Sequence, residues 1–457
     1  MTEARRHGRH GPDQDDPMLS VEEARGRVLA AIDGPLPAET LPVEAALGRV
    51  AAAEVRATTD LPPWDNSAMD GYAVRAAEVA NAAEASPVVL RVVGEAAAGG
   101  QGGTLQEPGT AIRIATGAPL PDGADAVVQV ELTTALGADG RAVGARGRQA
   151  DGGIPAGVAI HAQVPAGASI RRRGSDLAEG SVVLVPGTRL GPAAVGLVAG
   201  AGVAKIEVYR RPVVAVLATG DEIRPAGSAL AASAIPDANG PGLRALASAA
   251  GAYSIDLGIA RDRLEDVVAH LRRGIAEADV VIVSGGVSLG PYDVVRTAFE
   301  AVGSIALWRV AVQPGKPFAF GTAVGEDIRQ VLLFGLPGNP VSSFVTFELF
   351  VRPALRRLSG LTDLLRPSEP GVLVEPVSKS LGRRAYLRVE VERRSNGAPA
   401  RDLEGRLLVR LAGSRAGAGQ GSHVLSTLAA ADALAAVPEA FDDAPAGTDV
   451  EVFWLDR

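Results

Sequence analysis

Cysteine is absent from the 457 residues. The chain therefore has no disulfide framework, no thiolate zinc site and no cysteine nucleophile. Histidine is nearly as scarce, with five residues, two of which (His7 and His10) lie near the start. Metal chemistry must then rest on oxygen ligands, a set that suits Mg²⁺. Aromatic residues make up only 4%, so any core is mainly aliphatic. A basic excess is lacking too: the net charge of −8 argues against non-specific nucleic-acid binding as the main task. No apolar run approaches the roughly 20 residues needed to cross a bilayer. Residues 1–17 contain no apolar signal-peptide core, so we expect a disordered tail and a cytoplasmic protein with no membrane or nucleic-acid partner.

What is present is ample material for cores and turns: 47% hydrophobic residues, Gly 55 and Pro 31. At about 150 residues per domain, the length suggests around three domains. The most informative stretch is Asp279–Asp293, DVVIVSGGVSLGPYD. Val280-Val281-Ile282-Val283 reads as a strand buried on both faces, as in a parallel sheet. Ser284-Gly285-Gly286 then permits a sharp turn, Ser288 and Gly290 prolong the loop, and Asp293 opens an amphipathic helix. Such a strand, loop and helix start place backbone N–H groups and a positive helix end where open α/β sheets bind phosphorylated ligands. The plainer alternative is a tight turn with Asp293 as an ordinary cap.

Elsewhere the patterning changes by region. Ser20–Glu23 is a capping-box signature opening a helix with Val21, Ala24 and Val28 at helical spacing. Residues 60–76 form a polar, turn-rich loop containing Asp65-Asn66-Ser67 and Asp70-Gly71, which also reads as a simple domain-crossing loop. Short apolar runs between Gly, Pro and Asp turns from Pro87 to about residue 164 predict a small β domain. Within it, Thr116-Gly117 is the hydroxyl-plus-glycine candidate. Arg171-Arg172-Arg173-Gly174-Ser175-Asp176 is a basic cluster ended by an acid. After Pro212, alternating β and α segments predict a parallel sheet with right-handed crossovers. Thr219–Glu222, Ser284–Asp293, Gln313–Pro317 and Leu336–Ser343 then stand as its strand-end loops, with Glu222 and Asp293 converging at the rim. Lys316 offers a point charge for an oxyanion, although no Walker A spacing exists. From Pro370 onward the pattern is all-β.

In this order, DNSAMDGYA (65–73), TGAP (116–119), RRRGSD (171–176), TGDE (219–222), SGGVSLGPYD (284–293), PGKP (314–317) and LPGNPVS (336–342) resemble the molybdopterin molybdenumtransferases, the MoeA family that includes the E domain of gephyrin. The resemblance spans roughly Met18 to the last residue. It implies an α/β plus β fold in a multidomain, elongated subunit. The expected parts are a disordered tail (1–17), a composite N-terminal domain (18–59 and 165–209), an inserted β domain (60–164), a molybdopterin-binding α/β domain (210–365) and a C-terminal β-barrel (366–457). It also implies a homodimer whose cleft joins the α/β domain of one subunit to N-terminal parts of the other. The implied reaction inserts molybdenum from molybdate into the dithiolene of adenylylated molybdopterin and releases AMP, with Mg²⁺ assisting.

On matching positions, Asp70, Asp176, Glu222 and Asp293 are the expected catalytic residues, with Glu222 and Asp293 holding Mg²⁺ and Asp70 and Asp176 contributed by the partner subunit. Thr116 and Asp262 would line the cleft. The Gly285 and Gly286 N–H groups and Ser288 would cradle the molybdopterin phosphate, and Ser284 and Gly290 are further substrate-binding positions. Lys316, Ser342, Arg383 and Arg388 would attract molybdate, with Ser422 a further candidate, and Pro337 and Pro340 are further substrate-binding positions. Gln313 departs from the family, standing where many relatives carry a lysine. The rival functions are a molybdopterin adenylyltransferase and a dimeric partner-binding scaffold. A molybdopterin adenylyltransferase or a molybdoenzyme acceptor are the candidate protein partners.

Overall fold

The computed structural model describes residues 18–148, 153–286, 294–326, 328–414, 417 and 419–455. The capping box forms as the sequence predicts: Glu23 N–H donates to Ser20 Oγ at 3.1 Å and Ser20 N–H to Glu23 Oε2 at 2.8 Å. The helix it opens, Val21–Ala30, was expected in the composite N-terminal domain. It packs instead into the α/β core, where Val21, Ala24 and Val28 are fully buried in one cluster with Val310, Phe318 and Phe350. Two backbone bonds pin it there, Leu19 N–H to Arg309 O and Ala311 N–H to Leu19 O. A short apolar stripe finds its largest burial against that core, at about 1.5–3 kcal/mol per fully buried Val-sized side chain.

Two distant stretches build the composite domain. Ala38–Pro42 pairs antiparallel with Lys205–Tyr209, and Val55–Arg56 with Val182–Leu184, over a core that includes Val43, Leu184, Leu190, Val198 and Ile206. The chain between them forms a six-stranded sheet. There Gly71–Val74 lies antiparallel to both Thr110–Ile114 and Ala126–Gln129, so the segment after Asp70 is anchored centrally.

The next sheet also has six strands. Val213–Thr219, Tyr253–Ala260, Val280–Ser284 and Gln330–Leu336 run parallel, and Val280–Ser284 sits between Val213–Thr219 and Gln330–Leu336. Val280, Val281, Ile282 and Val283 are all fully buried, alternating between two apolar clusters on the sheet's two faces. That explains their unbroken hydrophobicity. Pro317–Val324 and Ser304–Arg309 complete the sheet as an antiparallel edge. All four parallel strands therefore deliver their loops to one rim.

At the C-terminal end, Arg384–Val391, Leu407–Leu411, Ser368–Leu373, Asp449–Trp454 and Ala433–Val437 close into a barrel, because Arg384–Val391 pairs with both Leu407–Leu411 and Ala433–Val437. Val312-Gln313 pairs with Arg384-Ala385 of this barrel, joining it to the α/β unit. No helix among the described residues is long and apolar enough to cross a membrane.

Candidate active site

The four parallel strand ends enclose a cavity of about 590 Å³, walled by Thr219, Gly220, Glu222, Asn239, Asp262, Ser284, Gly285, Gly286, Gly338, Asn339 and Pro340 among others. Two glycines make the tight turn possible. Gly285 (φ +100°) and Gly286 (φ +64°) are left-handed; a Cβ on Gly285 would lie 2.7 Å from Thr219 O, and one on Gly286 would collide with Val295 Cγ2. The expectation that both amides face a ligand needs correction. Gly285 N–H donates to Leu336 O at 3.1 Å, prolonging the sheet ladder by one residue. The exposed Gly286 N–H makes no hydrogen bond among the described residues.

Ser284 is buried, and its hydroxyl accepts from Asn239 Nδ2 at 2.7 Å; the same amide donates to Gly338 O at 2.6 Å. Asn239 thus ties two strand-end loops together, and Ser284 serves that tie. Asp237, two residues before the Asn239–Ala249 helix, accepts from Gly240 N–H in its first turn at 2.9 Å.

This cavity is acidic. Glu222, Asp237 and Asp262 line it and no Lys or Arg does among the described residues. Partial desolvation and the neighbouring carboxylates of Asp221 and Glu222 raise the Asp262 carboxyl above its usual range, against the bond from the Asp221 amide. No group of three or more His, Cys, Asp or Glu is placed to hold a metal ion among the described residues. A site completed by substrate phosphates needs only one or two carboxylates, so the oxygen donors here fit Mg²⁺ in that mode. The candidates Ser288, Gly290 and Asp293 lie outside the described residues.

A second cavity, about 450 Å³, opens where the α/β unit meets the barrel. Its charge is the opposite: Lys316, Arg383 and Arg388 line it, with Pro337, Ser342 and Ser422, and no acid does among the described residues. Desolvation, with Arg309 and Arg383 nearby, pushes the Lys316 ammonium below its usual range. Asn339 lines both cavities.

The cationic wall is braced from the barrel. Buried Lys379 donates to Ser380 O at 3.2 Å, to Arg383 O at 2.8 Å and to Phe441 O at 2.5 Å, fixing the turn that carries Arg383. Arg383 Nη2 donates to Ser380 Oγ at 2.6 Å. Gln313 Oε1 accepts from Ser380 N–H at 2.9 Å, so Gln313 serves as an interdomain tether. Arg388 is fully buried, and burial pushes its guanidinium down to about 10. Its nitrogens donate to Thr427 Oγ1 at 3.1 Å and to Gln420 O and Gly421 O at 3.0 Å, so Arg388 chiefly holds the loop before Ser422. That loop in turn reaches the α/β unit through Val341 N–H donating to Ser422 O at 3.0 Å.

Asp70, Thr116 and Asp176 line neither cavity. All are exposed, and Asp70 Oδ1 accepts from Thr116 N at 2.7 Å and from Thr116 Oγ1 at 2.8 Å. Those bonds hold the Asp70 carboxyl below its ordinary value, with Arg113 adding to the effect. The resemblance implies that Asp70 and Asp176 reach the cleft from a partner subunit, and within one chain none of these three residues lines either cavity.

Among the lining residues that the sequence did not nominate are Asn239 and His423. Asn239 could have been flagged as Asn-Gly-Pro at a helix start. His423, which reaches the acidic cavity from the barrel and lies over Gly421, carried no sequence signal beyond its place next to Ser422.

Three family models match consecutive parts of the chain: the MoeA N-terminal region (domain I and II) over residues 19–202, a probable molybdopterin binding domain over 215–357, and the MoeA C-terminal region (domain IV) over 370–455. Molybdopterin molybdenumtransferase 2 of Mycobacterium tuberculosis is 36% identical over 449 residues, 96% of this chain and 100% of the relative. Molybdopterin molybdenumtransferase of Haemophilus influenzae is 31% identical over 437 residues, 95% and 98% of the two chains. Among solved structures, the molybdopterin biosynthesis MoeA protein of Pyrococcus horikoshii superposes with a TM-score of 0.73 at 30% identity, covering 96% of this chain and 99% of that one. With its three regions in family order and the strand-end and junction cavities formed, the chain belongs to the MoeA family of molybdopterin molybdenumtransferases, enzymes of molybdenum cofactor biosynthesis.

Proposed function

We propose that this enzyme inserts molybdenum from molybdate into the dithiolene of adenylylated molybdopterin, with release of AMP and dependence on Mg²⁺. The observation that carries this reading is the pair of adjoining cavities of opposite charge, one acidic at the strand ends and one cationic at the barrel junction, sharing Asn339. An oxyanion is drawn to the cationic cavity, where Lys316 and Arg383 attract it and Ser342 offers a hydroxyl. The phosphorylated pterin suits the strand-end cavity, where Gly286 is exposed and its amide makes no hydrogen bond among the described residues.

Phosphates do not enter an acidic cavity uncompensated. Bound Mg²⁺ would neutralise phosphoanhydride charge and polarise the bond that breaks as AMP leaves. Glu222 is the described carboxylate we assign to hold it, with Asp262 beside it and Asp293 as the second ligand. Sulfur comes with the substrate, so the cysteine-free chain need only position phosphates, oxyanion and cation.

Because Asp70, Thr116 and Asp176 stand away from both cavities of their own chain, the reading includes a homodimer in which a partner subunit brings them to the cleft. It also includes a cytoplasmic setting, to which a cysteine-free composition is suited. Purified protein with adenylylated molybdopterin should release AMP in a molybdate- and Mg²⁺-dependent manner. Binding of the intermediate without turnover under any molybdate concentration would refute the insertase assignment.

A further inference from the structure

The sheet edge opposite the strand-end cavity carries another charged cleft, of about 360 Å³. It forms where the composite domain, the connection through Tyr209–Arg211, the end of the Asn239–Ala249 helix and the last turn of the Arg352–Leu358 helix meet. Six arginines line it (Arg49, Arg189, Arg210, Arg211, Arg352 and Arg356), and no Asp or Glu does among the described residues. In a chain of net charge −8, such a concentration is not general basicity.

Carboxylates stand behind several of these side chains. Arg49, only 6% exposed, pairs with Glu39 and donates to Tyr209 O at 2.7 Å. Arg210 forks onto Asp279 at 2.8 and 2.9 Å, Arg352 meets Glu348 at 3.5 Å and Arg356 meets Asp363 at 3.6 Å. These acids fix the guanidinium planes without occupying the cleft. Asp279 is moreover shared with Arg329, and Glu348 with Arg366. Arg211 stacks 5.3 Å over the Tyr253 ring, and neither it nor Arg189 makes an ion pair among the described residues.

Two helix C-termini end near the cleft, at Ala250 and Ser359, and each supplies about half a negative charge that fades within a turn. They offset part of the field but not two additional guanidinium charges. A cavity of this volume is about 9 Å across, comparable to the roughly 8 Å Debye length at physiological salt, so repulsion between arginines on the same wall is only partly screened while repulsion across the cleft is strongly reduced.

We propose that this cleft binds a phosphate-bearing small anion, at a site separate from the strand-end cavity, and that the bound anion clamps the composite domain against the α/β domain. A dianionic phosphate matches the two extra charges better than a single carboxylate does, and its oxygens accept the paired N–H donors of a guanidinium fork. The site owes nothing to the insertase reaction and needs no turnover to be observed.

The test is calorimetric titration of the full chain with pyrophosphate, inorganic phosphate and AMP at constant ionic strength, together with thermal unfolding. Wild type, without Mg²⁺, should show two classes of pyrophosphate site, this cleft and the cationic junction cavity. Arg189→Gln/Arg211→Gln, which alters only accessible side chains, should lose one class by at least about tenfold in affinity and keep the other. Arg211→Lys, retaining charge without the fork, should fall between. Inorganic phosphate competing for that class supports a free-anion ligand, and AMP competing for it supports a nucleotide. Unchanged stoichiometry and affinity in the double variant would overturn the proposal, as would equal stabilisation by matched chloride. Either failure leaves molybdate-dependent AMP release untouched, so the two readings are tested apart.

Discussion

The two adjoining cavities are built by opposite means. The strand-end cavity is made of backbone: left-handed glycines, a helix start and loops tied by Asn239, with carboxylates at its rim. The junction cavity is made of long cationic side chains held from behind by a second domain through Lys379, Gln313 and the Gln420–Ser422 loop. Backbone suits phosphates whose position never varies, and side-chain charge suits a small oxyanion that must arrive and leave. A division of labour follows, and substitutions should separate it.

The largest effect is expected at the acidic rim. Glu222→Ala should lower turnover by about 100-fold or more, and higher Mg²⁺ should recover part of the loss, with molybdate half-saturation little changed. A variant with undiminished turnover removes Glu222 from the metal assignment. Next comes Lys316→Ala, for which molybdate half-saturation should rise about 10- to 100-fold, the value of one hydrogen bond to a charged group, while affinity for adenylylated molybdopterin stays level. Equal weakening of both ligands would erase the distinction between the cavities.

Gln313→Lys sharpens the comparison in the other direction. It gives up the bond from Ser380 N–H but restores a charge, and molybdate half-saturation should fall roughly threefold to tenfold. The pH dependence of Mg²⁺ activation is a smaller signal. Asp262 has a raised carboxyl pKa, so it protonates early as pH falls, and Mg²⁺ half-saturation should worsen through that range. Asp262→Asn should flatten that limb of the profile.

The smallest effect concerns the residues that stand apart. Asp70 has a depressed pKa in the folded chain, so its contribution to stability is present above the unfolded carboxylate range and is lost as pH falls through the folded value. The difference in melting temperature between wild type and Asp70→Asn should therefore vanish at low pH. A difference that persists there would mean that the Thr116 bonds do not depend on the ionised form.

Most of the strand-end cavity could be read from the chain, because local patterns encode it. Val280–Val283 announced a strand buried on both faces, and Gly285-Gly286 announced the turn, as their clashes with Thr219 and Val295 bear out. Which amide faces outward was not legible, since the bond from Gly285 N–H to Leu336 O depends on a strand about 50 residues away. The junction cavity was less accessible for the same reason. Lys316 and Arg383 could be nominated by charge, but Arg388 was expected to face the oxyanion, and only the fold shows its guanidinium committed to Gln420, Gly421 and Thr427. The Val21–Ala30 helix was recognised from its capping box, yet periodicity shows that a face is buried without showing against what.

The most direct test of the division between the two cavities is a paired steady-state measurement of AMP release by Lys316→Ala and Glu222→Ala, varying molybdate and Mg²⁺ independently. Lys316→Ala should shift the molybdate curve alone and Glu222→Ala the Mg²⁺ curve alone. Crossed or identical shifts in the two variants would contradict it.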